Sequence, residues 1–323
     1  MADGASHPPG LVGDIGGTNA RFALAIPSDG RPDLTEFRAY RCADHACVDE
    51  ALEAYFAELE GPRPRTAVIA VAGPVVDGAI AFTNLGWRMT ERDLAESLGF
   101  DRITLINDYA ALALAAPVLS EADTRRIGPP VSVHAKSTLA ILGAGTGFGA
   151  SALVRDGARE AVLTTEGGHV AFAPTGALEV EIWRILSHRF GRVSVERILS
   201  GPGLMNLYGA LVEIEGRGHP CITPDEVTRR ADDGEALALR AVNIFCEILG
   251  SVAGDFALAY GAQGGVFVAG GVAPHFLSHL ERSGFRDRFE AKGRFESYLA
   301  AIPTRVVTHP QAALLGAGRA LLR

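Results

Sequence analysis

Short, almost wholly apolar runs alternate with segments of helical spacing along most of the chain. The runs 11–14, 21–26, 66–72, 79–83, 102–106, 138–142, 265–269 and 305–308 read as strands, with 37–41 as a third strand of the first group. The run TAVIAVA at 66–72 has no polar face, as expected of a strand covered on both sides of a sheet. Val48, Leu52, Tyr55, Phe56 and Leu59 recur on one side of a helix. Thr90, with Asp93 three positions on, predicts a helix start; Gly99 stops that helix after Leu98. Helical spacing returns over 109–116, 179–189, 194–199, 204–213, 235–260 and 311–322, with a break at 220–223. Strand groups alternating with helices predict an α/β protein. LVGDIGGT at 11–18 can be laid over LAILGAGT at 139–146, each a strand, a Gly-Thr loop and a returning strand of small residues. One such unit in each half predicts two similar domains facing a cleft.

Size supports that division: 323 residues is about two domains at ~150 residues each. The expected domains are 1–116 with 309–323, the last helix returning to pack on the first domain, and 117–308. Apolar residues at 48% and charged residues at 21% suit a folded core and exclude a disordered chain. Thirty basic against 38 acidic residues, a net charge of −8, argue against a nucleic-acid partner. Cys42, Cys47, Cys221 and Cys246 form no CxxC pair and no zinc spacing, so they read as scattered thiols of a reducing compartment. Residues 1–10 have neither the basic nor the apolar region of a signal peptide, and a cytoplasmic location is expected. The stretch 256–280 contains no Asp, Glu, Lys or Arg, long enough for a membrane span. Its five glycines, Pro274, Gln263 and two histidines fit a helix end, a buried strand and a glycine loop better, and no membrane association is expected.

Lys136 and Lys292 are the only lysines, and neither stands in a GxxxxGK[ST] frame. The strand lysine, HRD and DFG segments of protein kinases are missing, as is a GxSxG elbow. A bound nucleotide therefore needs a different grip. DIGGTNAR at 14–21 offers one. Gly16 and Gly17 let backbone amides converge on phosphate oxygens, Thr18 and Asn19 add donors, and Asp14 can hold Mg²⁺ through its water shell. The same residues also suit a tight hairpin. GAGTGFG at 143–149 is a second candidate: four glycines in seven positions weaken a strand, and Thr146 can donate to a terminal phosphate. Asn107-Asp108 joins a strand to a helix. It reads either as an N-cap or, with Asp108 as general base, as the acceptor of an alcohol proton late in phosphoryl transfer. Glu166 and His169 flank a glycine turn and can bind hydroxyls, or simply form a loop; a zinc site would need more ligands nearby. Glu196, early in the expected helix 194–199, suits the helix dipole whatever else it does.

LVGDIGGTNARFALA, LINDYAALALA, LGAGTGFG, TEGGHVAFAP, SVERILSGPG, FVAGGVAP and the closing ALLGAG, in this order over residues 11–319, resemble the bacterial ATP-dependent glucokinases of the hexokinase-like actin/sugar-kinase superfamily. No cysteine-rich zinc motif and no DNA-binding extension accompany them. The resemblance implies a two-domain ribonuclease H-like (actin/hexokinase-type) fold with an interdomain cleft. It implies transfer of phosphoryl from Mg-ATP to the 6-hydroxyl of glucose. Asp14, Gly16, Gly17, Thr18 and Asn19 match the first phosphate segment, with Mg²⁺ held by Asp14 through water. Gly145, Thr146 and Gly147 match the second, and Gly270 and Gly271 the loop along the adenosine. Asp108 matches the catalytic base on the 6-hydroxyl, and Asn107, Glu166, His169 and Glu196 the remaining sugar ligands. Gly73, Pro74 and Asn84 would line the same cleft. Ala171 departs from the pattern, since relatives often carry Asp there, which alters the expected support for His169. A homodimer is compatible with the resemblance. The alternatives are a broader hexokinase acting on mannose, fructose or an amino sugar, a non-enzymatic sugar sensor on the same fold, and an ATPase without a sugar substrate.

Overall fold

The computed structural model describes residues 8–26, 30–82, 86–132, 136–157, 159–218 and 223–323; Asn84 and Cys221 lie outside them. The chain forms two compact units, one reaching to Ser120 and completed by His309–Arg323, the other Glu121–Thr308.

The first unit runs β1 (Gly10–Ile15), β2 (Asn19–Ile26), β3 (Asp33–Arg41), α1 (Val48–Ala57), β4 (Thr66–Val71), β5 (Ala79–Ala81), β6 (Arg88–Thr90), α2 (Glu91–Leu98), β7 (Arg102–Asn107) and α3 (Asp108–Ala115). Its main sheet has the order β3-β2-β1-β4-β7. The first three strands are antiparallel neighbours, and β4 and β7 run parallel to β1. The parallel strands are apolar because both faces are covered: Leu11, Ile15, Ile69 and Val71 pack with α1 residues Leu52 and Tyr55, and Val12 and Val68 pack with Leu314 and Ala317. α2 starts as its sequence predicts. The Thr90 hydroxyl accepts the Asp93 amide at 3.0 Å, and Gly99 closes the helix in a left-handed conformation.

The second unit contains β8 (Thr124–Ile127), β9 (Leu139–Ala144), β10 (Phe148–Asp156), β11 (Arg159–Thr165), α4 (Ala177–Phe190), α5 (Gly201–Glu215), α6 (Pro224–Asp232), α7 (Ala236–Tyr260), β12 (Gly265–Val268), α8 (Leu277–Arg282), α9 (Phe285–Glu290), α10 (Glu296–Ala300) and β13 (Thr304–Val307). Its sheet order is β11-β10-β9-β12-β13-β8. Counted from β1 and from β9, the first five strands of the two sheets follow one plan: third, second, first, fourth, fifth. The faint sequence repeat is thus a full repeat of topology. α7 is long and apolar enough to cross a membrane, but most of it is buried in the core of this unit, beside Phe276, Phe285 and Phe289. The uncharged stretch 256–280 is the end of α7, β12, a glycine loop and the start of α8.

Two local expectations change. Residues 194–199 form a single 3₁₀ turn, Val195–Arg197, rather than a helix. β8 and β11 carry no apolar run that marks them as strands, being short or exposed: β11 has no fully buried residue and pairs only at the sheet edge. The chain then returns to the first unit as α11 (Ala312–Ala320). Arg319 donates to the Leu114 carbonyl at 2.7 Å, and Arg102 to the Leu321 carbonyl at 2.8 Å. Gly316 lets α11 lie directly on α3, since a Cβ there would strike the Ala111 carbonyl.

Candidate functional site

In the first unit, Asp14 precedes the last residue of β1, Val71 ends β4 and Asn107 ends β7. Ile15 pairs with Val71, and Val71 with Asn107. The Gly16–Asn19 loop, the Gly73-Pro74 turn and Asn107-Asp108 therefore share the carboxyl edge of three adjacent parallel strands, where open α/β sheets bind their ligands. Gly17 and Thr18 are exposed. The loop is tied from below: the Gly16 amide donates to the Asn19 carbonyl at 3.0 Å, and the Cys42 amide to the Thr18 carbonyl at 2.9 Å. The Cys42 thiol also lies 3.5 Å from the Gly16 carbonyl. No sequence signal marked Cys42, because its role depends on β3 ending beside the loop.

The strand–helix junction shows which residue caps the helix. Asn107 is the N-cap: its Oδ1 accepts the Tyr109 amide at 2.9 Å and the Ala110 amide at 3.2 Å. Its Nδ2 donates to the Gly73 carbonyl at 3.1 Å, leaving one amide hydrogen for a ligand. Asp108 stands at the first helical position, half-buried, where the helix dipole favours negative charge.

Asp14 faces Arg21 across the β1–β2 register, and the two form an ion pair at 3.0 Å. Burial raises the Asp14 pKa above its usual 3.8, only partly opposed by the Arg21 charge and hydrogen bond. The folded chain therefore holds this proton more tightly than the unfolded chain does. Between the two pKa values the native state binds more protons, so stability from this group falls as pH rises through that window. Asp14→Asn is expected to raise the melting temperature at pH 7. The difference should shrink as pH falls toward 3.8, where the wild-type carboxyl also protonates when unfolded. Thermal melts at several pH values test this. Arg21, with a side chain 40% exposed, can return to water in the variant.

The second unit repeats the edge arrangement. Leu142 of β9 pairs with Val268 of β12, so the loops following these strands are neighbours. The Val272 amide donates to the Ala144 carbonyl at 3.1 Å, which places Gly145–Gly147 beside Gly270-Gly271. Thr146 is exposed at the loop tip. Of the four glycines between 143 and 149, only Gly145 and Gly147 belong to the loop. Gly143 and Gly149 are strand residues paired with each other across β9 and β10. Gly143 is required by packing, because a Cβ there would overlap the Ala269 carbonyl.

The Glu166–His169 turn and the Val195–Arg197 turn are joined through their backbones. The Val195 amide donates to the Val170 carbonyl at 3.0 Å, and Ala171 bridges Ser194. Glu166, His169 and Glu196 are thereby brought to one region beside the start of β10. Glu166 and His169 are exposed and Glu196 is half-buried. Gly168 must lack a side chain, since a Cβ would run into the Phe148 carbonyl. Arg192 donates to the His169 carbonyl at 2.7 Å and so supports this turn. Sequence reasoning missed Arg192 and Phe148; both act through backbone contacts that no motif records.

A single carboxylate near an amide-rich loop fits Mg²⁺, which commonly takes one or two carboxylates with phosphate oxygens and waters. Among the described residues no three His, Cys, Asp or Glu come together as a protein-only cage.

The glucokinase family model matches residues 11–323. A glucokinase of Caulobacter sp. (strain K31) is 51% identical over 312 residues, covering 97% of this chain and 94% of that one. The crystal structure of a glucokinase from an Antarctic psychrotroph is 36% identical, with a TM-score of 0.89 over 98% of this chain and 99% of that chain. A ROK family glucokinase from Streptomyces griseus, in complex with glucose and AMPPNP, shares the fold at 18% identity and a TM-score of 0.63, over 96% of this chain and 98% of that chain. The family model over residues 11–323, the 51% identical relative and a near-complete structural match agree: this chain belongs to the glucokinase family, the ATP-dependent kinases of glucose.

Proposed function

We propose that the chain moves the γ-phosphoryl group of Mg-ATP to the 6-hydroxyl of glucose, with the residues above in the roles their motifs suggest, and that it works in the cytoplasm. The observation that carries this reading is the shared strand edge of Asp14, the Gly16–Asn19 loop and Asn107-Asp108 in the first unit. Asp108 accepts the proton of the 6-hydroxyl as that oxygen bonds to phosphorus and ADP leaves, giving glucose 6-phosphate. Glu166 and Glu196 accept, and Asn107 donates, hydrogen bonds with ring hydroxyls; His169 completes the set. Charge-assisted bonds of this kind read sugar stereochemistry. Amides of the two glycine loops, with Thr18 and Thr146, receive phosphate oxygens, and Gly270-Gly271 lies along the adenosine. Bound Mg²⁺, held by Asp14 through water, would supply positive charge to the phosphates.

Hexose-dependent ADP release with Mg-ATP tests the reading on glucose, mannose, fructose, glucosamine and a no-sugar blank. Release with glucose far above the others is expected. Equal release with another hexose would make the chain a broader hexokinase, and release equal to the blank would overturn the kinase reading. Arg192→Met should raise the KM for glucose about 5-fold, as loss of one exposed charge-assisted bond supporting His169 would, with kcat within about 2-fold. Arg192→Lys should recover part of the loss. Steady-state kinetics on the two variants check both statements.

A further inference from the structure

Glu196 touches more than the sugar region. Its Oε2 accepts the Phe148 amide at 2.9 Å. The same oxygen occupies the space a side chain on Gly147 would need. Phe148 directly follows the Gly145–Gly147 loop, and its carbonyl is the surface on which Gly168 of the Glu166–His169 turn rests. One peptide segment therefore meets the phosphate loop, Glu196 and the sugar turn at once. These contacts all lie within the second unit.

We propose that Glu196 is a joint between the glucose site and the second phosphate loop, so that glucose and Mg-ATP strengthen each other's binding through the Glu196–Phe148 contact. This rests on the reading of Glu196 as a sugar ligand and deepens it. A carboxylate has two oxygens. Oε2 is committed to the loop amide, and Oε1 remains for a sugar hydroxyl. A hydroxyl bonded to Oε1 holds the carboxylate in place, which orders the Phe148 amide and the loop before it. Nucleotide binding to an ordered loop then has less conformational entropy to lose. By linkage, a phosphate-filled loop must return the same factor to glucose.

The test separates the joint from the sugar reading. Calorimetry with glucose alone is run on Gly147→Ala, whose Cβ would push Oε2 off the Phe148 amide while leaving every proposed sugar ligand in the chain. Glucose should bind at least about 5-fold more weakly, although Gly147 belongs to the phosphate loop. Gly145→Ala is the loop control, because a Cβ there meets nothing nearer than the Gly271 nitrogen at 3.9 Å; its glucose affinity should match wild type. Reciprocally, Glu196→Ala should weaken Mg-AMPPNP binding measured without glucose. In the wild-type protein, the amide resonance of Phe148 should move when glucose is added without nucleotide, a readout that stands even if Gly147→Ala does not fold. Wild-type glucose affinity in Gly147→Ala, or a Phe148 amide indifferent to glucose, overturns the joint. Normal glucose affinity in Glu196→Ala overturns instead the assignment of Glu196 as a sugar ligand.

Discussion

Replacing Asp108 with alanine is expected to lower glucose phosphorylation at least ~10²-fold, the range for loss of a positioned general base, while glucose still binds. The structure makes the experiment clean. Asn107, not Asp108, caps α3 through the Tyr109 and Ala110 amides and ties the junction to Gly73. The carboxylate of Asp108 accepts the neighbouring Tyr109 amide at 2.9 Å, at that same helix start. Asn107→Ala should cost roughly 1 kcal/mol of stability through the lost cap, a loss that Asp108→Ala, which keeps that cap, does not incur. Turnover, calorimetric glucose affinity and thermal melts distinguish the two positions. Near-normal turnover in Asp108→Ala would remove it from the chemistry.

The second large effect is expected at Gly143. Its would-be Cβ, fixed to the β9 backbone, overlaps the backbone carbonyl of Ala269, directly after the paired residues of β12. Neither can turn aside as a flexible side chain could. The Ala269 amide bonds the Leu142 carbonyl at 2.7 Å, so opening this contact also displaces the Gly270-Gly271 loop. Gly143→Ala should lower the melting temperature by at least about 5 °C, as overpacking against backbone does. Nucleotide affinity should fall with it. Gly17→Ala is the counterpart: nothing lies within 4 Å of a Cβ there. Its stability should be close to wild type, and only nucleotide affinity should change. Equal melting temperatures for the two variants would refute the packing argument.

That contrast shows where sequence reading reaches its limit. GAGTGFG and DIGGTNAR look alike as glycine-rich segments. Yet Gly143 and Gly149 are strand residues pairing across β9 and β10, while Gly145 and Gly147 make the loop. Composition does not separate a glycine needed for close approach from one needed for open amides, since the distinction lies in what stands opposite. Glu196 shows the same limit. Its segment has helical spacing but forms one 3₁₀ turn, because Ala171 and Val170 take up the preceding backbone groups.

The sequence by itself determined the elements with strong local causes and the order of the chemistry-bearing segments. Apolar runs specified the buried parallel strands, Thr90 and Gly99 bounded α2, and the motifs carried the family. Tertiary structure decided the rest: the common topology of two sheets with almost no residue identity, the return of α11 onto α3, the capping role of Asn107, and the contacts of Arg21, Cys42, Arg192 and Phe148 with candidate site residues. Local signals act over a few residues through side-chain size, caps and turn geometry. These later features join groups distant in the chain, and their partners are chosen only when packing brings strand ends together.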